Sequence, residues 1–124
     1  MARKKIFIVE DNDLTRFTIR SVIETTEHSV SGEAGSFKEA IEKLPESAAD
    51  ILLLDIILPD KSGLEVLKAF RQTNKTTKII VITALGQKKL DEELFNAGTD
   101  YILRKPFSAH GLKRAINKTA EKHE

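Results

Sequence analysis

Three acids crowd the end of one short apolar run: "IFIV" at 6–9 leads straight into Glu10, Asp11 and Asp13, with only Asn12 between them. Like charges beside a buried strand repel one another and resist leaving water, so they call for a counter-charge. A further acid, Asp55, closes "ILLLD" at 51–55; Thr83 closes "IIVIT" at 79–83; Lys105 stands just beyond "YIL" at 101–103. Hard oxygen donors with no His or Cys among them select Mg²⁺. That ion keeps waters in its shell and takes phosphate oxygens, so the set suits reception of a phosphoryl group better than metal storage. Asp55, fixed at the end of a buried strand, has the chemistry of a nucleophile toward phosphorus and would form an aspartyl phosphate. The metal and Lys105 would offset charge on the transferring oxygens, and the Thr83 hydroxyl would donate to one of them.

These residues can meet only if the chain brings separate strand ends to one edge. The apolar runs "IFIV" at 6–9, "ILLLDIIL" at 51–58, "IIVIT" at 79–83 and "YIL" at 101–103 are continuous, as in strands buried on both faces of a parallel sheet. A weaker run, "SVSGEA" at 29–34, carries Gly32 and predicts an edge strand. Between the strands the period becomes helical. Leu14, Phe17, Val22 and Ile23 mark a first helix, and Phe37, Ala40, Ile41 and Leu44 a second. Leu64, Leu67 and Phe70 mark a third, Leu90, Leu94 and Phe95 a fourth, and Leu112, Ala115, Ile116 and Thr119 a fifth. Ser36 with Glu39, and Ser62 with Glu65, carry the Ser-x-x-Glu start signal, and Asn12 or Asp13 would cap the first helix. Fivefold alternation predicts a doubly wound α/β domain: a five-stranded parallel sheet, flavodoxin-like in its 2-1-3-4-5 order, with five helices and right-handed crossovers. In such sheets ligands bind beyond the carboxyl ends of the strands, where the strand order reverses. The candidate residues fall there.

Composition narrows the class further. The chain has 124 residues, 31% charged and 40% hydrophobic, with a formal net charge of +1, so bulk charge favours neither nucleic acid nor a membrane surface. The absence of Cys excludes disulfides and thiolate metal sites. The basic start "MARKK" precedes too short an apolar run for a signal peptide, and a cytoplasmic location is expected. Lys113, Arg114, Lys118 and Lys122 read as a solvated face without interleaved aromatics, and His28, His110 and His123 form no ligand spacing.

"IVEDN", "LLLDIILPDKSGLEVL", "IIVITA" and "AGTDYILRKPF" together resemble the receiver domain of two-component response regulators, and the resemblance runs over the whole chain, residues 1–124. It implies Mg²⁺ held by Glu10 through water, Asp11, Asp55 and the backbone carbonyl of Ile57. It implies that Asp55 accepts a phosphoryl group from the phosphohistidine of a sensor histidine kinase or phosphotransfer protein, so that the domain catalyses its own phosphorylation while acting mainly as a switch. Thr83 would be the switch hydroxyl and Lys105 the phosphate-pairing lysine, followed by Pro106 through a cis bond. A downstream effector, or a C-terminal output domain, would read the state. In the family an aromatic switch residue usually stands three positions before the lysine. Here Ile102 holds that place and Tyr101 lies one earlier; strand alternation points them to opposite faces unless a bulge near Arg104 restores Tyr101. Ile57 and Leu85, at positions that govern water access in the family, are apolar, which predicts slow loss of the phosphoryl group.

Other readings fit less well. A haloacid-dehalogenase-type phosphatase needs a second acid two residues after the first, and Ile57 stands there. A flavin carrier of similar fold would cradle phosphate with Ser, Thr or Gly, whereas "EDND" would repel it. A receiver-fold adaptor working without phosphorylation would need neither Asp55 nor Lys105.

Overall fold

The computed structural model describes residues 3–121, so Lys122 and His123 lie outside the described residues. Strand β1 (Lys5–Val9) leads to helix α1 (Asp13–Glu24), edge strand β2 (Ser29–Ala34) and helix α2 (Phe37–Lys43). Strand β3 (Ile51–Asp55), α3 (Gly63–Arg71), β4 (Lys78–Thr83), α4 (Lys88–Asn96), β5 (Tyr101–Arg104) and α5 (Ala109–Ala120) follow. All neighbouring strands pair in parallel, in the order β2-β1-β3-β4-β5. The flavodoxin-like arrangement expected from the alternation is present.

Strand parity divides the core in two. Phe7, Val9, Leu52, Leu54, Ile79 and Val81 face α2, α3 and α4, where they meet Ala40, Val66, Leu67, Phe70 and Leu94. Ile6, Ile8, Ile51, Leu53, Ile80 and Ile82 face the other way and meet Ile19 and Ile23 of α1 with Leu112, Ala115 and Ile116 of α5. Each such Ile or Leu contributes about 1.5–3 kcal/mol by leaving water, which fixes the central strands and hence their ends.

Several sequence expectations shift in detail. The third strand stops at Asp55, where the sequence ends it; in the apolar run beyond, Ile56 and Leu58 stay buried while Ile57 turns out, 58% exposed. Helix α2 ends at Lys43, because Pro45 lacks the amide to continue it, and Leu44–Glu46 tightens into a 3-10 turn. Leu14 and Phe17 mark α1 but lie outside its buried face, 73% and 54% exposed; Ile19 and Ile23 make the packing contact. Ile41 and Phe95 likewise face solvent. Gly32 sits where the β1–β2 register shifts beside Ile6 and Phe7, and a side chain there would meet the Phe7 ring at 2.6 Å. No helix among the described residues is long and apolar enough to cross a membrane.

Candidate functional site

The register of the sheet assembles the site. Val9 pairs with Leu54, so the next residues, Glu10 and Asp55, leave adjacent strands side by side. Asp55 pairs with Ile82, one residue before Thr83, and Thr83 pairs with Arg104, one residue before Lys105. Four strand ends therefore open on one edge at the place where the chain crosses from one side of β1 to the other.

Carboxylate oxygens of Glu10, Asp11 and Asp55 lie within 4.8 Å of one another. Glu10 and Asp55 are buried, 2% and 4% exposed, while Asp11 faces solvent. The Lys105 ammonium crosses the notch and donates to Asp55 Oδ2 at 2.9 Å and to Glu10 Oε1 at 3.2 Å. The Lys105–Pro106 bond is cis. The Ile57 amide donates to Asp55 Oδ1 at 3.0 Å, and the Asn12 amide donates to Glu10 Oε2 at 3.1 Å. Buried Thr83 accepts from the Leu85 amide through its Oγ1 at 3.0 Å.

The electrostatics are unbalanced. Burial, then the nearby Asp55 charge, pushes the Glu10 carboxyl from 4.5 up to about 7, with the Asn12 amide and Lys105 pulling back. Burial alone would lower Lys105, but the hydrogen bonds and charges of Asp55 and Glu10 outweigh it and hold the ammonium above its ordinary value. One lysine does not neutralise three acids. An oxygen-only donor set with this surplus negative charge fits a hard divalent cation such as Mg²⁺.

Neighbouring residues hold the site in shape. Asn12 caps α1 by accepting from the Thr15 amide, which aims the acidic turn at the notch. Arg16 donates to the Glu10 carbonyl at 2.6 Å and pairs with Asp13 and Glu33. Asp60, in the turn after β3, accepts from the Phe37 and Lys38 amides and so ties that turn to the start of α2. The amides also hold its carboxyl below the ordinary range, Phe37 contributing most. Gly63 permits the return of the chain: a Cβ there would stand 2.2 Å from the Asp55 carbonyl oxygen. Ser36 and Ser62 cap α2 and α3 as expected, although Glu39 reaches the Gly35 amide rather than that of Ser36.

The alternatives left for Tyr101 and Ile102 resolve in the register. Tyr101, Ile102, Leu103 and Arg104 pair in unbroken succession with Ile80, Val81, Ile82 and Thr83, without a bulge. Ile102 thus shares a face with Thr83, packing among the residues under α4, while Tyr101 packs on the α1 and α5 side. His28 is buried, its Nδ1 accepting from the Lys4 amide, far from this edge at the start of the strands.

Strand order, switch-point placement and an acidic notch bridged by a lysine define a flavodoxin-like α/β domain with its site at the carboxyl edge. The chain belongs to the response regulator receiver domain family, whose model matches residues 6–117. It is 32% identical over 118 residues to the chemotaxis protein CheY of Thermotoga maritima, covering 95% of this chain and 98% of that one. It is 38% identical over 104 residues to the transcriptional regulatory protein ResD of Bacillus subtilis, covering 84% of this chain but 42% of ResD. Among solved structures it resembles a CheY-like receiver domain protein from Methanospirillum hungatei, 26% identical, with a TM-score of 0.87 over 94% of this chain and 93% of that chain. It is thus a receiver domain of two-component signalling.

Proposed function

We propose that residues 1–124 form one receiver unit in which Asp55 takes a phosphoryl group from the phosphohistidine of a sensor histidine kinase or phosphotransfer protein. The observation that carries this reading is the Lys105 ammonium bonded to both Glu10 and Asp55 within a cluster of three carboxylates. A carboxylate oxygen of Asp55 forms the new bond to phosphorus while the phosphorus–nitrogen bond breaks and its electron pair stays on the imidazole. Lys105 follows the charge onto the phosphoryl oxygens, and Thr83 turns its hydroxyl proton toward one of them. Mg²⁺ would be held by Glu10 through water, Asp11, Asp55 and the Ile57 carbonyl, where it supplies positive charge to the transferring oxygens.

The added charge at Asp55 then redistributes the hydrogen bonds of Thr83 and reshapes the surface of α4, β5 and α5, on which Ile102 takes the place next to the switch hydroxyl. A downstream effector, or an output domain in a longer chain, prefers the reshaped surface and so draws the equilibrium toward it. The domain acts in the cytoplasm beside its kinase. An adaptor independent of phosphorylation would gain nothing from burying Glu10 and Asp55 together, a cost that a phosphoryl-accepting site explains.

Incubation with a small-molecule phosphodonor and Mg²⁺, followed by intact mass measurement, tests the reading. A gain of one phosphoryl group that disappears in Asp55→Asn supports it. No gain in the unmutated chain, or an equal gain in Asp55→Asn, overturns it.

A further inference from the structure

A second polar constellation links the site to α4. Arg104 closes β5 on the Thr83 face, as the register partner of Thr83. Its guanidinium forks, donating through one nitrogen to the Leu85 carbonyl between β4 and α4 and through the other to Asp91 Oδ2 in the first turn of α4. The amide of the same Leu85 donates to Thr83 Oγ1 at 3.0 Å. A hydroxyl at the site, one short stretch of loop backbone and one arginine thus stand in series between Asp55 and a helix.

Two observations mark this series as able to change. The first is capping. Helices α1, α2, α3 and α5 each begin with a side-chain cap, from Asn12, Ser36, Ser62 and Ser108. Gln87, at the cap position of α4, makes none, and the Arg104–Asp91 pair ties that uncapped end to β5. The second is the Asp91 carboxylate, whose Oδ1 is buried without a hydrogen-bond partner. A half-satisfied carboxylate loses less on rearrangement than a fully bonded one.

We infer that Arg104 is a latch: it holds the start of α4 in the arrangement that belongs to unphosphorylated Asp55, and it lets go when Thr83 turns toward the phosphoryl group. This rests on the acceptor reading of Asp55. When Thr83 rotates, Leu85 loses the acceptor for its amide, the loop backbone turns to find another, and the carbonyl leaves the guanidinium. Ile102 has neither the ring nor the polar atom to couple Thr83 to α4 itself. The polar coupling runs through Arg104 instead.

The latch opposes the phosphorylated arrangement, so weakening it must favour any ligand that prefers that arrangement. Beryllofluoride, a reversible stand-in for the phosphoryl group on a carboxylate, is titrated with Mg²⁺ into the whole chain and into Arg104→Gln, Asp91→Asn and the double variant, with binding read by fluorine NMR. Each single variant is expected to bind at least about fivefold more tightly, and the double variant no more tightly than the better single one. Amide resonances of α4 in ligand-free Arg104→Gln should move toward their bound positions, a change that a merely stabilising contact would not produce. Unchanged or weaker binding in folded single variants overturns the latch while leaving Asp55 as the acceptor. Failure of the unmutated chain to take beryllofluoride overturns the acceptor reading itself, and the latch with it.

Discussion

Lys105 Nζ stands 2.9 Å from Asp55 Oδ2, although 50 residues separate the two in sequence. The contact exists because both residues leave parallel strands at the same edge, one beyond β5 and one at the end of β3. It replaces part of the positive charge that the acidic notch lacks and places an ammonium where a transferred phosphoryl group would carry its oxygens.

Removing that ammonium should therefore slow phosphoryl uptake more than it unfolds the chain. Lys105→Ala is expected to reduce the rate of uptake from a small phosphodonor by on the order of 100-fold, as for the loss of one charge-stabilising donor in a reaction site. Uptake within a factor of about two of the unmutated rate would show that Lys105 only fills space.

The raised Glu10 carboxyl makes stability depend on pH in a definite direction. Its folded value, about 7, lies above the ordinary 4.5, so the folded state holds the proton more tightly than the unfolded one. That contribution is complete below the ordinary value and is lost as pH rises through about 7, on the order of 3 kcal/mol at the limit. In a chelating buffer the unfolding temperature should fall between about pH 5 and about pH 8, and Glu10→Gln should flatten the fall. Excess Mg²⁺ should counter the fall, because it binds the deprotonated form. A metal-free unfolding temperature that rises over the same range would contradict this account of the notch.

Gly63 and Gly86 give a matched pair. A methyl group at Gly63 would stand 2.2 Å from the Asp55 carbonyl oxygen, whereas one at Gly86 meets nothing within 4 Å. Gly63→Ala should cost about 1–3 kcal/mol in urea unfolding and displace Asp55, while Gly86→Ala should stay within about 0.5 kcal/mol of the unmutated chain. Equal midpoints for the two variants would mean that the close return of the chain past β3 is not required.

Ile57 and Leu85, 58% and 37% exposed, flank the notch without a group able to orient an attacking water. Phosphoryl loss should be slow. The double replacement Ile57→Asn with Leu85→Glu should speed it by about tenfold or more, measured as decay of the phosphorylated mass after the donor is removed. Unaltered decay would place the control of lifetime elsewhere.

The sequence carried the sheet because buried parallel strands leave unbroken apolar runs, and "SVSGEA" even matched the observed span of β2. It carried Glu10, Asp11, Asp55, Thr83 and Lys105 because strand ends are where such a fold places ligands. It could not tell which way Leu14 and Phe17 face, since periodicity marks a helix without saying what lies opposite each position. Asp60 reads only as part of a turn for another reason: an acid in a Pro-Asp-Lys-Ser stretch signals no more than that, and its targets, the Phe37 and Lys38 amides, come near only through the fold. Arg104 was hidden by its neighbour Lys105. Its partners on α4 emerge only from the register of β4 with β5, which also put Ile102 rather than Tyr101 on the face of Thr83.

Borohydride reduction after phosphodonor treatment tests the central claim most directly, because it converts an aspartyl phosphate to homoserine at the residue that carried it. Peptide mapping should find homoserine at position 55, only with Mg²⁺ present. Homoserine at another acid, or none despite a gain in mass, would contradict the assignment of Asp55 as the acceptor.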